Sequence, residues 1–280
     1  MGGDLRWVWD ANRNHPVREN ATLTFGTDGN LVLADVDGSI VWQTKTADKG
    51  VTGISMQTDG NLILRNKKGK RIWQSFQHPT DTLAVGQALA LNGNTKLVSR
   101  TSDRNSRDGP YSATIDGEKG FIMYQNASGE LVQYAGWEAK GLSDVTFRSI
   151  RKVNPVQPPP TWPYWEMWSK TSYFLSLGFA EGKQAITAPS RRVVLKITGN
   201  HDFQHWPFLR LESDGNLVVY SYRQPEPKPY SNGWSKEYAF FGDTVKECAL
   251  QSKCGSSGKC YGRLCSACPR NSSLGCIIRS

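Results

Sequence analysis

A short motif with the composition of a binding site occurs three times in the chain. It reads TDGNLVL at 27–33, TDGNLIL at 58–64 and SDGNLVV at 213–219. Each copy places a carboxylate two residues before a carboxamide, just ahead of an apolar run. Asp accepts hydrogen bonds and Asn both donates and accepts them, so the pair suits the vicinal hydroxyls of a sugar. The motif could also form only a turn, because Asp-Gly is a strong turn former.

Strand periodicity indicates which side chains of the second copy could act together. Side chains alternate between the two faces of a strand. The outer face is predicted to carry Gln57, Asp59, Asn61, Ile63 and Arg65. The opposite, core-directed face is predicted to carry Met56, Leu62 and Leu64. A shallow polar site of this kind gains only about 1 kcal/mol per hydrogen bond. We therefore expect millimolar affinity, about −4 kcal/mol, and a need for several sites on one glycan.

The first two copies belong to a longer repeat. TDGNLVLADVDGSIVWQT at 27–44 aligns without gaps to TDGNLILRNKKGKRIWQS at 58–75. Each unit is predicted to be strand, turn and strand, with Gly38 and Gly69 in the turns. A period near 30 residues with one hairpin per unit is typical of a symmetric β architecture. RWVWDAN at 6–12 resembles only the Trp-bearing return strand, so we expect the first domain to be truncated at its N-terminus.

The composition favours an all-β protein. The 280 residues include 27 Gly, 14 Pro and ten each of Trp, Tyr and Phe, a mixture rich in turn and strand formers. No apolar run approaches the ~18 residues of a membrane span. The net charge is +9, but the basic residues are scattered except at 65–71, which we interpret as a solvated hairpin tip. We expect neither a nucleic-acid partner nor a membrane span.

The cysteines and glycosylation sequons point to an oxidising compartment. All six cysteines fall in the last 33 residues; they are Cys248, Cys254, Cys260, Cys265, Cys268 and Cys276. Such a cluster reads as a disulfide-stapled module; the CxxC spacing of Cys265 and Cys268 leaves a zinc site as the alternative. Sequons occur at Asn20, Asn126 and Asn271. The opening MGGDLRWVWD contains no signal-peptide core, so we expect a secretion signal to be missing or removed.

No catalytic motif is present. His201 and His205 are four residues apart, but Asn200 and Pro207 argue for a loop rather than a metal-binding helix. His15 and His78 each precede a proline and are predicted to lie in a loop and a turn. There is no nucleophile elbow, phosphate loop or HExxH motif. We therefore expect no enzyme activity, no metal and no cofactor.

The motifs together resemble a known plant family. The three copies are similar to the Gln-x-Asp-x-Asn-x-Val-x-Tyr site of bulb-type, mannose-binding lectins. The segments VWQTKT, IWQSFQHPTDTLAVGQ and FLRLESDGNLVVYSY, with the cysteine tail, resemble plant S-domain proteins, above all the epidermis-specific secreted glycoproteins. The resemblance covers nearly the whole chain. It implies β-prism II lectin domains, an extracellular or cell-wall location and mannose-type glycan binding.

The copies depart from the family's site in different ways. The first keeps Asp28, Asn30 and Val32, but Gly26 and Ala34 replace Gln and Tyr, so we expect it to be silent. We rank the second and third copies above the first as candidate mannose-binding sites. The second keeps Gln57, Asp59 and Asn61, with Ile63 for Val and Arg65 for Tyr. The third keeps Asp214, Asn216, Val218 and Tyr220, with Glu212 for Gln.

The resemblance also implies a domain order. We expect a truncated bulb-type lectin domain at 1–105, a second lectin-like domain at 106–240 and an EGF-like module at 241–280. The proline-rich stretch at 153–163 could be an insertion in the second domain or a linker. By analogy with EGF, the disulfides would be Cys248–Cys260, Cys254–Cys265 and Cys268–Cys276.

Two functions from different classes remain. The first is a secreted, non-catalytic lectin that binds mannose-type glycans through weak, multivalent sites. The second is a cell-wall or recognition scaffold with decayed sugar sites, which contacts extracellular proteins or acidic wall polysaccharide.

Overall fold

The chain folds as antiparallel β-sheets, which confirms the all-β class. The computed structural model describes residues 6–153, 169–179, 191–200, 207–222, 233–242, 250, 259–261 and 264–266. Within these ranges there is no α-helix, and the only helical element is the 3-10 turn Ser75–Gln77. Nothing helical in that part of the chain has the length and apolarity that a bilayer crossing requires.

Each of the first two repeats forms a three-stranded sheet. The first sheet contains β1 (Thr22–Phe25), β2 (Leu31–Ala34) and β3 (Ile40–Gln43). The second contains β4 (Val51–Met56), β5 (Leu62–Asn66) and β6 (Arg71–Gln74). Gly38 and Gly69 occupy the predicted turns with φ of 80° and 75°, in the left-handed region that glycine tolerates.

Three tryptophans join these repeats around a common core. Trp42 and Trp73 come from the return strands, and Trp9 comes from the N-terminal segment that resembles one. Their ring centroids lie 5.8–6.1 Å apart in all three pairs, with edge-to-face angles of 67–73°. Leu31 and Leu64 are buried against them. The relation between the N-terminal segment and the two return strands, predicted from sequence, is thus visible as a three-way aromatic contact.

The later strands form three four-stranded antiparallel sheets. Their orders are β18-β17-β16-β7, β15-β14-β13-β8 and β12-β11-β10-β9. The strands are β7 (Thr82–Ala84), β8 (Ala88–Ala90), β9 (Lys96–Ser102), β10 (Asn105–Asp116), β11 (Gly120–Ala127), β12 (Glu130–Glu138), β13 (Leu142–Val153), β14 (Ser169–Phe179), β15 (Arg191–Asn200), β16 (Phe208–Leu211), β17 (Leu217–Tyr222) and β18 (Trp234–Ala239). One apolar core is common to all three sheets and includes the fully buried Leu83, Leu89, Phe121 and Phe147.

The short strands at 82–102 each join a different one of these sheets. They pair with strands that follow residue 105, across the domain boundary expected from sequence. Val153, the last residue of β13, pairs with Ser169, the first residue of β14. A final hairpin pairs β19 (Lys259–Tyr261) with β20 (Leu264–Ser266). The three-domain division and the EGF-like module stay predictions.

Several predicted features lie outside the described residues. They are Cys248, Cys254, Cys268, Cys276, Asn271, His201, His205 and most of the proline-rich stretch. Only the backbones of Cys260 and Cys265 are described, as register partners in the last hairpin. The disulfide pairing therefore stays a prediction.

A buried charge cluster attaches the N-terminal segment to the later sheets. Asp81, fully buried, lies 2.5 Å from the Arg100 guanidinium and 3.9 Å from that of Arg210. Both arginines also donate to the carbonyl oxygen of Trp7. Arg13 donates to three backbone carbonyls of the β9–β10 hairpin, at 2.6–3.1 Å. These charges are buried but paired, which is the condition under which proteins tolerate them.

We expect Trp73→Ala to lower the free energy of unfolding by about 3–5 kcal/mol, because it removes a buried indole from the three-way contact. Urea denaturation followed by tryptophan fluorescence measures this loss. Trp7→Ala is the matched control, since Trp7 is 63% exposed whereas Trp73 is 8% exposed. Equal effects of the two substitutions would contradict the role assigned to the aromatic core.

Candidate functional site

The three copies of the motif adopt the same turn. The glycine of each copy has a positive φ of 82–88°. In each turn the Asp Oδ1 accepts the backbone N–H of the following Asn at 2.8–3.0 Å. The residue before the motif and the Asn close the hairpin with a backbone bond of 2.8–2.9 Å. Asp and Gly therefore serve the turn in every copy, whatever else the motif does.

The Asn side chain binds the turn to the return strand. Asn61 is only 2% exposed. Its Nδ2 donates to Gln74 Oε1 at 2.9 Å, and its Oδ1 accepts the N–H of Phe76 at 3.2 Å. Asn30 repeats this arrangement with Gln43 at 2.8 Å. Sequence reasoning missed this structural role, although the Trp-Gln pair that ends both return strands supplies the partner each time.

The predicted alternation of faces in the second copy is wrong at three positions, one of which is Asn61, assigned to the outer face but only 2% exposed. Ile63, assigned to the outer face, is fully buried, and Met56, assigned to the core, is 66% exposed. Ile63 lies between Asn61 and Arg65 on β5, and Arg65 reaches back past it to Gln57. Strand periodicity gives the two faces of a strand but does not say what covers each face.

Beside the second copy is an open cleft that is rich in amides. It has a volume of about 620 Å³. Its polar lining residues are Asp59, Asn61, Arg71, Gln74, Gln77, Gln87, Asn92 and Asn94. Asp59 is exposed, and its Oδ1 accepts the Asn61 N–H in the turn. Gln57 does not line the cleft; it donates to Ser55 Oγ at 3.0 Å and accepts from Arg65 Nη2 at 3.1 Å.

The third copy is turned into the protein. Val218, Tyr220 and Asn216 are 1%, 4% and 8% exposed. The Tyr220 ring packs on Phe208 at 5.4 Å and is covered by the Arg6 guanidinium, 4.1 Å from its centroid. Burial raises the pKa of Tyr220. Of the four residues predicted to bind sugar in this copy, only Asp214 is exposed.

Glu212 is the residue that stands in place of the family's Gln in the third copy. Its Oε1 is buried without a hydrogen-bond partner. Burial raises the pKa of its carboxyl group above the ordinary value, against the opposing effects of a hydrogen bond from Tyr220 and the charge of Arg210. Burial thus makes the charged form of Glu212 less favourable than it is for a carboxylate in water.

The first copy has no side chain at the Gln position. A Cβ placed on Gly26 would lie 2.4 Å from Asp28 Oδ1, so the carboxylate occupies that space. Asn30 is buried in the same contacts as Asn61, and Val32 is half-buried. The arrangement provides fewer accessible polar atoms than the second copy does.

The remaining predicted positions have simple surroundings. Asn20 and Asn126, the two described sequon residues, are exposed. His78 stacks on Trp73 with centroids 5.2 Å apart, and burial lowers its pKa. The described residues contain no group of three or more His, Cys, Asp or Glu side chains that could hold a metal ion.

Comparison with known proteins defines the class of this chain. Residues 6–104 match the family B_lectin, described as D-mannose binding lectin. EP1-like glycoprotein 2 of Arabidopsis thaliana is 45% identical over 281 residues, which cover 95% of this chain and 58% of that protein. The epidermis-specific secreted glycoprotein EP1 of Daucus carota is 39% identical over 285 residues, covering 96% of this chain and 69% of that protein.

These matches define a bulb-type lectin S-domain protein of plant type. The chain belongs to the family of the epidermis-specific secreted glycoprotein EP1. It spans about 58% of the length of the Arabidopsis EP1-like glycoproteins that it matches.

We expect Asn61→Ala to lower the free energy of unfolding by about 2 kcal/mol, because the Phe76 N–H and Gln74 Oε1 lose their buried partner. Thermal or urea unfolding measures the loss. Asn92→Ala provides the control, since Asn92 is an exposed turn residue. A neutral Asn61→Ala would contradict the structural role of this carboxamide.

We expect the Glu212→Gln variant to become more stable relative to the wild-type protein as the pH rises. The carboxyl pKa is raised in the folded state, so the folded protein binds more protons than the unfolded chain, and stability is lost as pH rises through the folded pKa. Gln mimics the protonated form at every pH. Urea unfolding of both proteins at pH 4 and pH 7 checks this; a difference that does not depend on pH would contradict it.

Proposed function

We propose that this chain is a secreted, non-catalytic, lectin-like glycoprotein that binds mannose-type glycans at the cleft beside the second copy. The observation that carries the proposal is the exposed Asp59 carboxylate at the edge of a cleft lined by amide side chains. Carboxylates accept the hydrogen bonds of sugar hydroxyls, and amides both donate and accept them. The match to a family described as D-mannose binding lectin supports a hexose of the mannose type.

We expect the cleft to bind a sugar weakly, because few of its polar atoms are free of contacts within the protein. Asn61 Nδ2 and Oδ1 already bind Gln74 and the chain after it, so Asp59 and the remaining amides must supply most of the new contacts. Each bond displaces water and contributes about 1 kcal/mol. Affinity near the millimolar range and avidity on branched glycans are the expected result.

Location outside the cell is part of the same proposal. The carrot relative is named a secreted glycoprotein. Two sequon residues, Asn20 and Asn126, are exposed and accessible to glycosylation.

A cell-wall or recognition scaffold is the second candidate. The observation that favours it is the burial of Asn216, Val218 and Tyr220 in the third copy, which leaves few polar atoms there for a sugar. Such a scaffold would contact extracellular proteins or acidic wall polysaccharide through its sheet faces, and free mannose would not compete.

A mannan-agarose column tests the lectin proposal. We expect the protein to be retained and to elute with free mannose, and we expect Asp59→Ala to abolish retention. Asp28→Ala is the matched control, because Asp28 makes the same turn bond in the silent first copy, at 3.0 Å against 2.9 Å for Asp59. Failure of the wild-type protein to bind mannan, or equal losses in both variants, would overturn the proposal.

A further inference from the structure

Two arginines face each other across the hairpin that follows the second copy. Arg65 on β5 is the register partner of Arg71 on β6. Like charges placed directly opposite on adjacent strands destabilise a sheet. In the first repeat the corresponding register partners are Ala34 and Ile40. The hairpin of the second repeat therefore contains an unfavourable pair of like charges, which the equivalent hairpin of the first repeat lacks.

Neither guanidinium has an anionic partner among the described residues. Arg65 Nη2 donates to the neutral Gln57 Oε1 at 3.1 Å, and Arg65 Nε is buried with no partner. Arg71 Nη1 makes one long contact of 3.4 Å with Gln74 Oε1. A buried donor without an acceptor costs free energy. Arg71 is exposed, so a ligand can reach its guanidinium.

The first repeat shows what a neutralised version looks like. Its hairpin tip carries Asp35 and Asp37, and Arg18 pairs with them at 2.9 and 2.5 Å. The tip of the second repeat instead adds the exposed Lys67, Lys68 and Lys70 to the two arginines. The tip of the second repeat is therefore basic where the tip of the first repeat is acidic. Among the described residues, no side chain forms an ion pair with this basic tip.

From these observations we propose that the mannose-type glycan bound at the second copy is also anionic: it carries hexuronate residues whose carboxylates bind Arg65 and Arg71. The inference rests on the proposed function, because it names the class of glycan for the same cleft, which Arg71 lines together with Asp59 and Gln74. Guanidinium binds carboxylate through two parallel N–H bonds. Asp59 and the amides then form hydrogen bonds with the hydroxyls. The lysines at the tip contact the next uronates along the polymer.

Charge at the tip alone would attract any polyanion, but the polar cleft beside it favours a sugar. Asp59 and Gln77, whose polar groups are proposed to bind sugar hydroxyls, line the same cleft as Arg71. A glycan that contains uronates offers both carboxylates and vicinal hydroxyls. Nucleic acid would use the charges without the amides.

The test compares two polymers that differ only in charge. Binding of polygalacturonate and of its fully methyl-esterified form is measured by calorimetry at fixed salt. We expect the acid form to bind at least tenfold more tightly. Arg65→Gln with Arg71→Gln should weaken polygalacturonate binding at least tenfold and leave the ester unchanged. The control is Arg104→Gln with Arg107→Gln, two exposed arginines of another hairpin, which should change binding less than twofold.

The possible outcomes distinguish failure of the anionic-glycan inference from failure of the proposed function. Equal affinity for acid and ester, or equal losses in both double variants, overturns the anionic-glycan inference alone. Binding of single-stranded DNA as tight as that of polygalacturonate also overturns it, because the site would then read charge only. Failure of the wild-type protein to bind mannan overturns the proposed function and the inference with it.

Discussion

The buried carboxamide of the Asp-Gly-Asn turn is the interaction on which the repeated units depend. In the first two repeats Asn30 and Asn61 each donate to a glutamine of the return strand and accept a backbone N–H beyond it. A buried amide must have these partners, because an unsatisfied polar group costs more than a hydrogen bond gains. The turn, the return strand and the chain beyond are thereby fixed to one another. What remains for a ligand is the part of the motif that the fold does not use.

That remaining part consists of two positions that vary together. They flank the turn, eight residues apart, and are Gly26 and Ala34, Gln57 and Arg65, or Glu212 and Tyr220 in the three copies. In the second copy the pair is joined by a hydrogen bond of 3.1 Å, and in the third by a bond between carboxylate and phenol. The same backbone thus presents a small, a cationic or an acidic pair. This variation, rather than the turn, distinguishes the chemistry of the copies.

Charged side chains at two places in the fold are paired in the same way as the buried carboxamides. Around Asp81 two arginines share one buried carboxylate and a backbone carbonyl, and they hold the N-terminal segment against the later sheets. At the first hairpin tip, Arg18 neutralises two aspartates. The tip of the second repeat has no such ion pair within the described residues, and this difference is the basis of the anionic-glycan proposal.

The sequence by itself determined the all-β class, the hairpins of the first two repeats, the glycine turns and the resemblance of the segment at 6–12 to the two return strands. These follow from local periodicity and turn chemistry, which act within a few residues. Only the tertiary structure decided that Ile63 is buried and Met56 exposed, that strands at 82–102 pair with strands beyond residue 105, and that Arg6 covers Tyr220. Those outcomes depend on contacts between residues far apart in the chain. Alternation along a strand gives its two faces, but the partner that packs on each face is fixed only when the whole chain is folded.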